Sequence, residues 1–157
     1  MKKRLSFNNR IFNKKEGFTL IELLIVVAII GILATLLMSN FVGVRQRGRD
    51  AQRKSDMRQL QSALEMYRAD EGAYPLVIPA CGSSLKSVDE TITYMQKIPC
   101  DPSNSGSFVY VYASSNGSTY SLIACLENVN DSQKDSPNNP QSRCDGVNAW
   151  SYTLLNP

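Results

Sequence analysis

The chain has 157 residues, with 17 Lys and Arg against 14 Asp and Glu, four Cys and no His. That length holds one domain with modest additions, and a hydrophobic share of 43% is too high for a disordered chain. The lack of His excludes a Ser-His-Asp or Cys-His catalytic site and any His-ligated metal. The net charge of +3 averages a basic start and an acidic end. Residues 1–17 hold Lys2, Lys3, Arg4, Arg10, Lys14 and Lys15 against Glu16 alone, whereas acids outnumber bases from residue 59 onward. This is not the profile of a uniformly basic nucleic-acid binder.

After the basic start, Phe18 to Met38 is apolar apart from Glu22. A helix of this length spans ~31 Å, close to the ~30 Å hydrocarbon core of a bilayer. The run is longer than a typical signal-peptide core, and no small-residue cleavage site closes it. The small residue is at Gly17, on the other side, where a cut would leave the apolar helix on the mature chain.

From Ser39 to about Glu71 there is no Pro, and good helix formers dominate. Phe41, Val44, Gly48 and Ala51 recur at steps of three and four, as do Met57, Leu60, Leu64 and Tyr67. The spacing predicts that the apolar helix continues to about Glu71. Gly72 with Pro75 ends it. Leu60, Leu64 and Tyr67 are expected to be buried, and Arg53, Lys54, Gln61 and Arg68 exposed.

Residues 72–157 form the expected globular body. Ser87-Val88-Asp89-Glu90 reads as a capping box opening a short helix to about Gln96. Phe108–Ala113 and Thr119–Cys125 are β-rich runs around the turn signal Ser115-Asn116-Gly117-Ser118. Asn116 fits a glycosylation sequon but is more simply a turn residue. Asn128 to Asn148 predicts a long loop, and Trp150 to Leu155 a last strand. The fold class expected is α+β, with a long helix packed on a small antiparallel sheet.

The segment Lys14-Lys15-Glu16-Gly17-Phe18-Thr19-Leu20-Ile21-Glu22 resembles the processing signature of type IV pilins and type II secretion pseudopilins. Gly72-Ala73-Tyr74-Pro75 and Pro99-Cys100-Asp101-Pro102 are similar to turns of the major pseudopilins. The resemblance implies a prepilin leader over 1–17, a transmembrane and assembly helix over 18–40, its amphipathic continuation over 41–71 and a body over 72–157. It further implies that a prepilin peptidase cuts between Gly17 and Phe18 and methylates the new amino terminus. Phe18 and Glu22 are then the assembly residues. An ionised acid at the centre of a membrane helix costs roughly 2.5–3.5 kcal/mol. The partner expected for Glu22 is the Phe18 ammonium group of a neighbouring subunit.

The resemblance also implies a calcium loop after the hairpin. Asp131, Asp135 and Asp145 fall in that region without a tight cluster, so a solvated acidic loop is expected, with no metal and no cofactor. Arg45, Arg47, Arg49, Arg53, Lys54 and Arg58 read as a solvated helix face, as partners for acidic bodies of neighbouring subunits, or as contacts for DNA or anionic lipid. Nucleic acid is admitted but not indicated, because no aromatic residue interleaves the run.

Cys81, Cys100, Cys125 and Cys144 all lie in the body expected to be exported, which favours two disulfides. Four Cys allow three connectivities. Cys81–Cys100 with Cys125–Cys144 is preferred here, each closing a loop of about 20 residues; the nested and crossed pairings stay open.

The function expected is a structural subunit, not an enzyme, that polymerises into a pilus or pseudopilus with the inner-membrane assembly machinery. It would be a single-pass membrane protein before assembly, with its leader in the cytoplasm, and part of an extracellular or periplasmic filament afterwards. The alternative is a membrane-anchored minor pilin that does not polymerise and serves DNA uptake or adhesion.

Overall fold

A computed structural model describes residues 17–157, excepting the side chains of residues 38–40. The basic run before Gly17 lies outside the described residues. A single helix, α1, runs from Leu20 to Glu71, and five strands follow. The chain divides into two units after Asn40.

In the first unit, α1 begins at a capping box. The Thr19 hydroxyl accepts from the Glu22 amide at 3.3 Å, and the Glu22 carboxylate accepts from the Thr19 amide at 2.9 Å. From Leu20 to Leu37 the helix is long and apolar enough to cross a membrane, and none of those residues is buried. Leu20, Ile21, Leu23, Ile25, Ile29 and Leu33 are each at least half exposed.

In the second unit, α1 ends where the sequence predicts. Gly72 adopts φ 80°, and its amide donates to the Arg68 carbonyl at 2.8 Å. The strands are β1 (Leu85–Lys86), β2 (Thr93–Met95), β3 (Val111–Ala113), β4 (Ser121–Leu126) and β5 (Trp150–Leu155). β1 and β2 make a small antiparallel pair, and β3-β4-β5 make a three-stranded antiparallel sheet. The β3–β4 hairpin turns through Gly117 at φ 70°. A side chain there would meet the Tyr74 carbonyl at 3.1 Å, so both backbone shape and space select Gly.

Cross-strand partners share a face of the sheet. Leu122, Ala124 and Leu126 of β4, with Tyr152 of β5, join Met57, Leu60, Leu64 and Tyr67 of α1 in the core. The opposite face presents Ile123 beside Thr153 and Cys125 beside Ser151, and all but Thr153 are buried. The loop 128–148 covers it, anchored by the Cys125–Cys144 disulfide and by Asn139, which donates to the Ser151 and Thr153 hydroxyls. Loop residues also close the outer edge of β5. Asp135 donates its amide to the Ser151 carbonyl, and its carboxylate accepts from the Thr153 amide; the Asn138 side-chain oxygen accepts from the Ser151 amide.

The expected helix from Val88 to Gln96 is absent. The Ser87 hydroxyl instead accepts from the Ile92 amide at 3.0 Å, and Asp89 accepts from the Thr91 amide. Glu90 sits at φ 60°, outside helical geometry, and the chain turns back as β2. A capping box and a side-chain-stabilised turn use the same residue types, and here the turn prevails.

Three exposure expectations also fail. Arg53 is fully buried and Lys54 half-buried; Gln61 is half-buried, donating to the Leu155 carbonyl, while Arg68 is exposed as expected. The buried stripe continues from Met57 not to Ala51 and Gly48 but to Arg53 and Asp50, one and two turns back in the same phase. Phe41 and Val44 are exposed, at 59% and 64%.

Candidate functional site

Two constellations stand out, one at the start of α1 and one in the body. Gly17, Phe18, Thr19 and Glu22 are all exposed and belong to the first. Phe18 is 84% exposed just before the first helical residue. Both the amide and the hydroxyl of Thr19 donate to Glu22 Oε2, at 2.9 and 2.7 Å. This fixes the carboxylate at the amino end of the helix, where the helix dipole favours negative charge. A carboxylate has about four acceptor positions, so the box leaves capacity for an ammonium partner. Reading Glu22 only as an intersubunit partner missed the box, although Thr-x-x-Glu is a sequence signature for it.

The second constellation is a buried charge cluster centred on Arg53. Its Nε and Nη2 grip Asp101 Oδ2 and Oδ1 at 2.6 and 3.0 Å, while Nη1 reaches Asp50 and Glu127, each at 2.8 Å. The Phe108 ring lies 4.7 Å from the guanidinium carbon. Burial disfavours the charge, but the three carboxylates outweigh it and push the guanidinium pKa up. Arg49 donates to Glu127 from the next turn, and Asp50 accepts the Glu127 and Asn128 amides at 2.9 and 2.8 Å. The cluster therefore locks α1 to the Asp101 turn and to the end of β4. The basic run, expected to be solvated or to meet other subunits, sends Arg49, Arg53 and Lys54 into its own body instead. The sequence signals were Arg53 at the buried helical phase and an acid inside Pro-x-Asp-Pro.

The four Cys form Cys81–Cys100 and Cys125–Cys144, with Cα separations of 5.0 and 5.5 Å. This is the preferred sequential pairing. Asp131, Asp135 and Asp145 do not converge, and among the described residues no group of three or more His, Cys, Asp or Glu could hold a metal. Asp131 and Asp135 are half-buried and engaged, which corrects the expectation of a solvated acidic loop.

Residues 12–38 match the family model of the prokaryotic N-terminal methylation motif, and residues 40–139 match that of type II secretion system protein G. The chain is 32% identical to the type II secretion system core protein G of Escherichia coli, over 59% of this chain and 70% of that protein. It is 30% identical to the protein of the same name in Dickeya chrysanthemi, over 57% and 63%. With that of Pseudomonas aeruginosa identity is 33%, over 57% and 68%. No solved structure gives a significant match. The matches span both the motif around Glu22 and most of the body, and the chain belongs to the type II secretion system protein G family, the structural pseudopilins of that system.

Proposed function

We propose that this pseudopilin is made as a prepilin, cut between Gly17 and Phe18, methylated at Phe18 and polymerised through its apolar helix into a pseudopilus. The observation that carries this reading is the run from Leu20 to Leu37, which has no buried residue and opens on the Thr19–Glu22 box. Leaving that surface in water is costly at roughly 25 cal/mol per Å² of apolar area. A bilayer before assembly and neighbouring helices afterwards would both cover it. In the filament, the Glu22 carboxylate pairs with the Phe18 ammonium of the next subunit, so two charges leave lipid together.

The proposed working units are the leader over 1–17, the assembly helix over 18–40, its continuation over 41–71 and the body over 72–157. A prepilin peptidase and inner-membrane assembly machinery are the proposed partners. The leader stays in the cytoplasm and the body is exported, consistent with two disulfides in the body. The minor-pilin alternative is not favoured by the protein G match. Mass spectrometry of the protein from its native cell tests the reading. The expected mature chain lacks residues 1–17 and carries one extra methyl group at Phe18. An intact Met1, or an amino terminus after Ser39, would overturn it.

A further inference from the structure

The calcium implied by the family resemblance requires six to eight converging oxygen ligands at about 2.3–2.6 Å. The loop 128–148 does not supply them: among the described residues no group of three or more carboxylates converges there, and the three Asp side chains and the Val129 carbonyl each serve the chain's own donors. Lys54 Nζ lies 2.6 and 2.7 Å from the two oxygens of Asp131, both side chains only 15% exposed. Asp135 accepts from the Thr153 amide and hydroxyl on β5. Asp145 Oδ1 accepts the amides of Val147, Asn148 and Ala149 at 2.8 to 2.9 Å. The Val129 carbonyl, a hard oxygen that would suit calcium, accepts from Lys134 Nζ at 2.6 Å, and that ammonium also sits 3.9 Å from the Trp150 ring centroid.

We propose that Lys54 and Lys134 act as the fixed cations of this loop, replacing a divalent metal, so that its order on β5 is independent of calcium. The Lys54 ammonium comes from α1 and neutralises Asp131 from outside the loop. The Lys134 ammonium binds a loop carbonyl from within and is held over Trp150. The Cys125–Cys144 disulfide closes the same segment covalently. A metal entering here would have to displace an ammonium from Asp131 and strip edge-capping bonds from β5. The inference concerns the body alone and does not rest on processing or polymerisation.

The test uses the full chain in detergent, with thermal unfolding and limited proteolysis followed by mass mapping of the cuts. Wild-type Tm and the cleavage rate within 128–148 are expected to be the same in chelator and in millimolar calcium chloride. Lys54→Met and Asp131→Asn are each expected to speed cleavage in the loop by about tenfold, because the loop opens more often. The double variant is expected to be no worse than either single one, as for a lost pair. Should Lys54→Met fail to fold, Asp131→Asn reads the same pair without disturbing α1. A wild-type Tm that rises when calcium replaces chelator would overturn the proposal. So would unchanged loop cleavage in the folded variants.

Discussion

Arg53 and Asp101 form a bidentate pair, with both side chains fully buried and the bonds at 2.6 and 3.0 Å. The pair joins the middle of α1 to the turn that follows the Cys81–Cys100 loop. A buried pair of this kind is not a large net source of stability, since desolvation offsets the attraction. Its removal is another matter, because the partners cannot return to water.

Arg53→Met should therefore destabilise the body by about 3–5 kcal/mol, as it strands Asp101, Asp50 and Glu127 without their shared cation. Arg53→Lys should recover only part of this, because an ammonium cannot make the two-pronged contact. Urea unfolding of both variants checks the order. A midpoint for Arg53→Met equal to wild type would show that the cluster is not structural.

Leu64 lies in the core and Met66, two residues on, is half exposed. Leu64→Ala is expected to cost ~2–5 kcal/mol through lost burial and the cavity left behind. Met66→Ala should fall within about 0.5 kcal/mol of wild type. Equal losses in the two variants, read by the same unfolding curves, would show the helix phase to be wrong.

Much of this architecture was legible in the residues because each element carries its own local signal. Gly72 stops α1, Asn116-Gly117 turns the hairpin, and Leu60, Leu64 and Tyr67 mark the core face by spacing alone. What escaped depends on distant parts of the chain. An Arg is read as exposed unless its carboxylates are in view, and two of the three that Arg53 meets lie 48 and 74 residues away, at Asp101 and Glu127. Ser87 has two local uses for one hydroxyl, and only the pairing of β1 with β2 decides between them. The proposed cut between Gly17 and Phe18 rests on the small residue at the charge boundary and on a resemblance, since no physical force in the folded chain requires that junction.

Acid should loosen the body in a defined window. Hydrogen bonding from Arg49, opposed by burial and helped by Arg53, holds the Glu127 carboxyl below its ordinary 4.5. A lowered native value means that the unfolded chain takes up the proton first. The stability owed to Glu127 is therefore present above about pH 4.5 and lost as pH falls through the lower native value. Burial pushes the Asp56 carboxyl above 3.8 although the Tyr110 hydroxyl donates to it, so its own cost is relieved in acid and partly opposes the loss. Urea midpoints of Glu127→Gln and wild type should differ near neutrality and converge as pH falls through the lowered native value. A constant gap at both ends would remove Glu127 from the account.

The last expectation separates two uses of Glu22. Its carboxylate closes the capping box with Thr19, and the proposed assembly step also needs its charge. A Gln at this helix position can still complete a capping box, because its side-chain oxygen accepts from the Thr19 amide. Glu22→Gln should therefore leave the helix start and membrane insertion intact while removing the charge proposed to pair with Phe18. Without that charge insertion becomes easier, not harder, so a fall in protein level is not expected. Filament yield in the native cell, scored beside the membrane level of the protein, checks this. If Glu22→Gln assembles like wild type while Glu22→Leu does not, the box is the requirement and the charge is not. If both variants insert normally and neither assembles, the carboxylate acts through its charge.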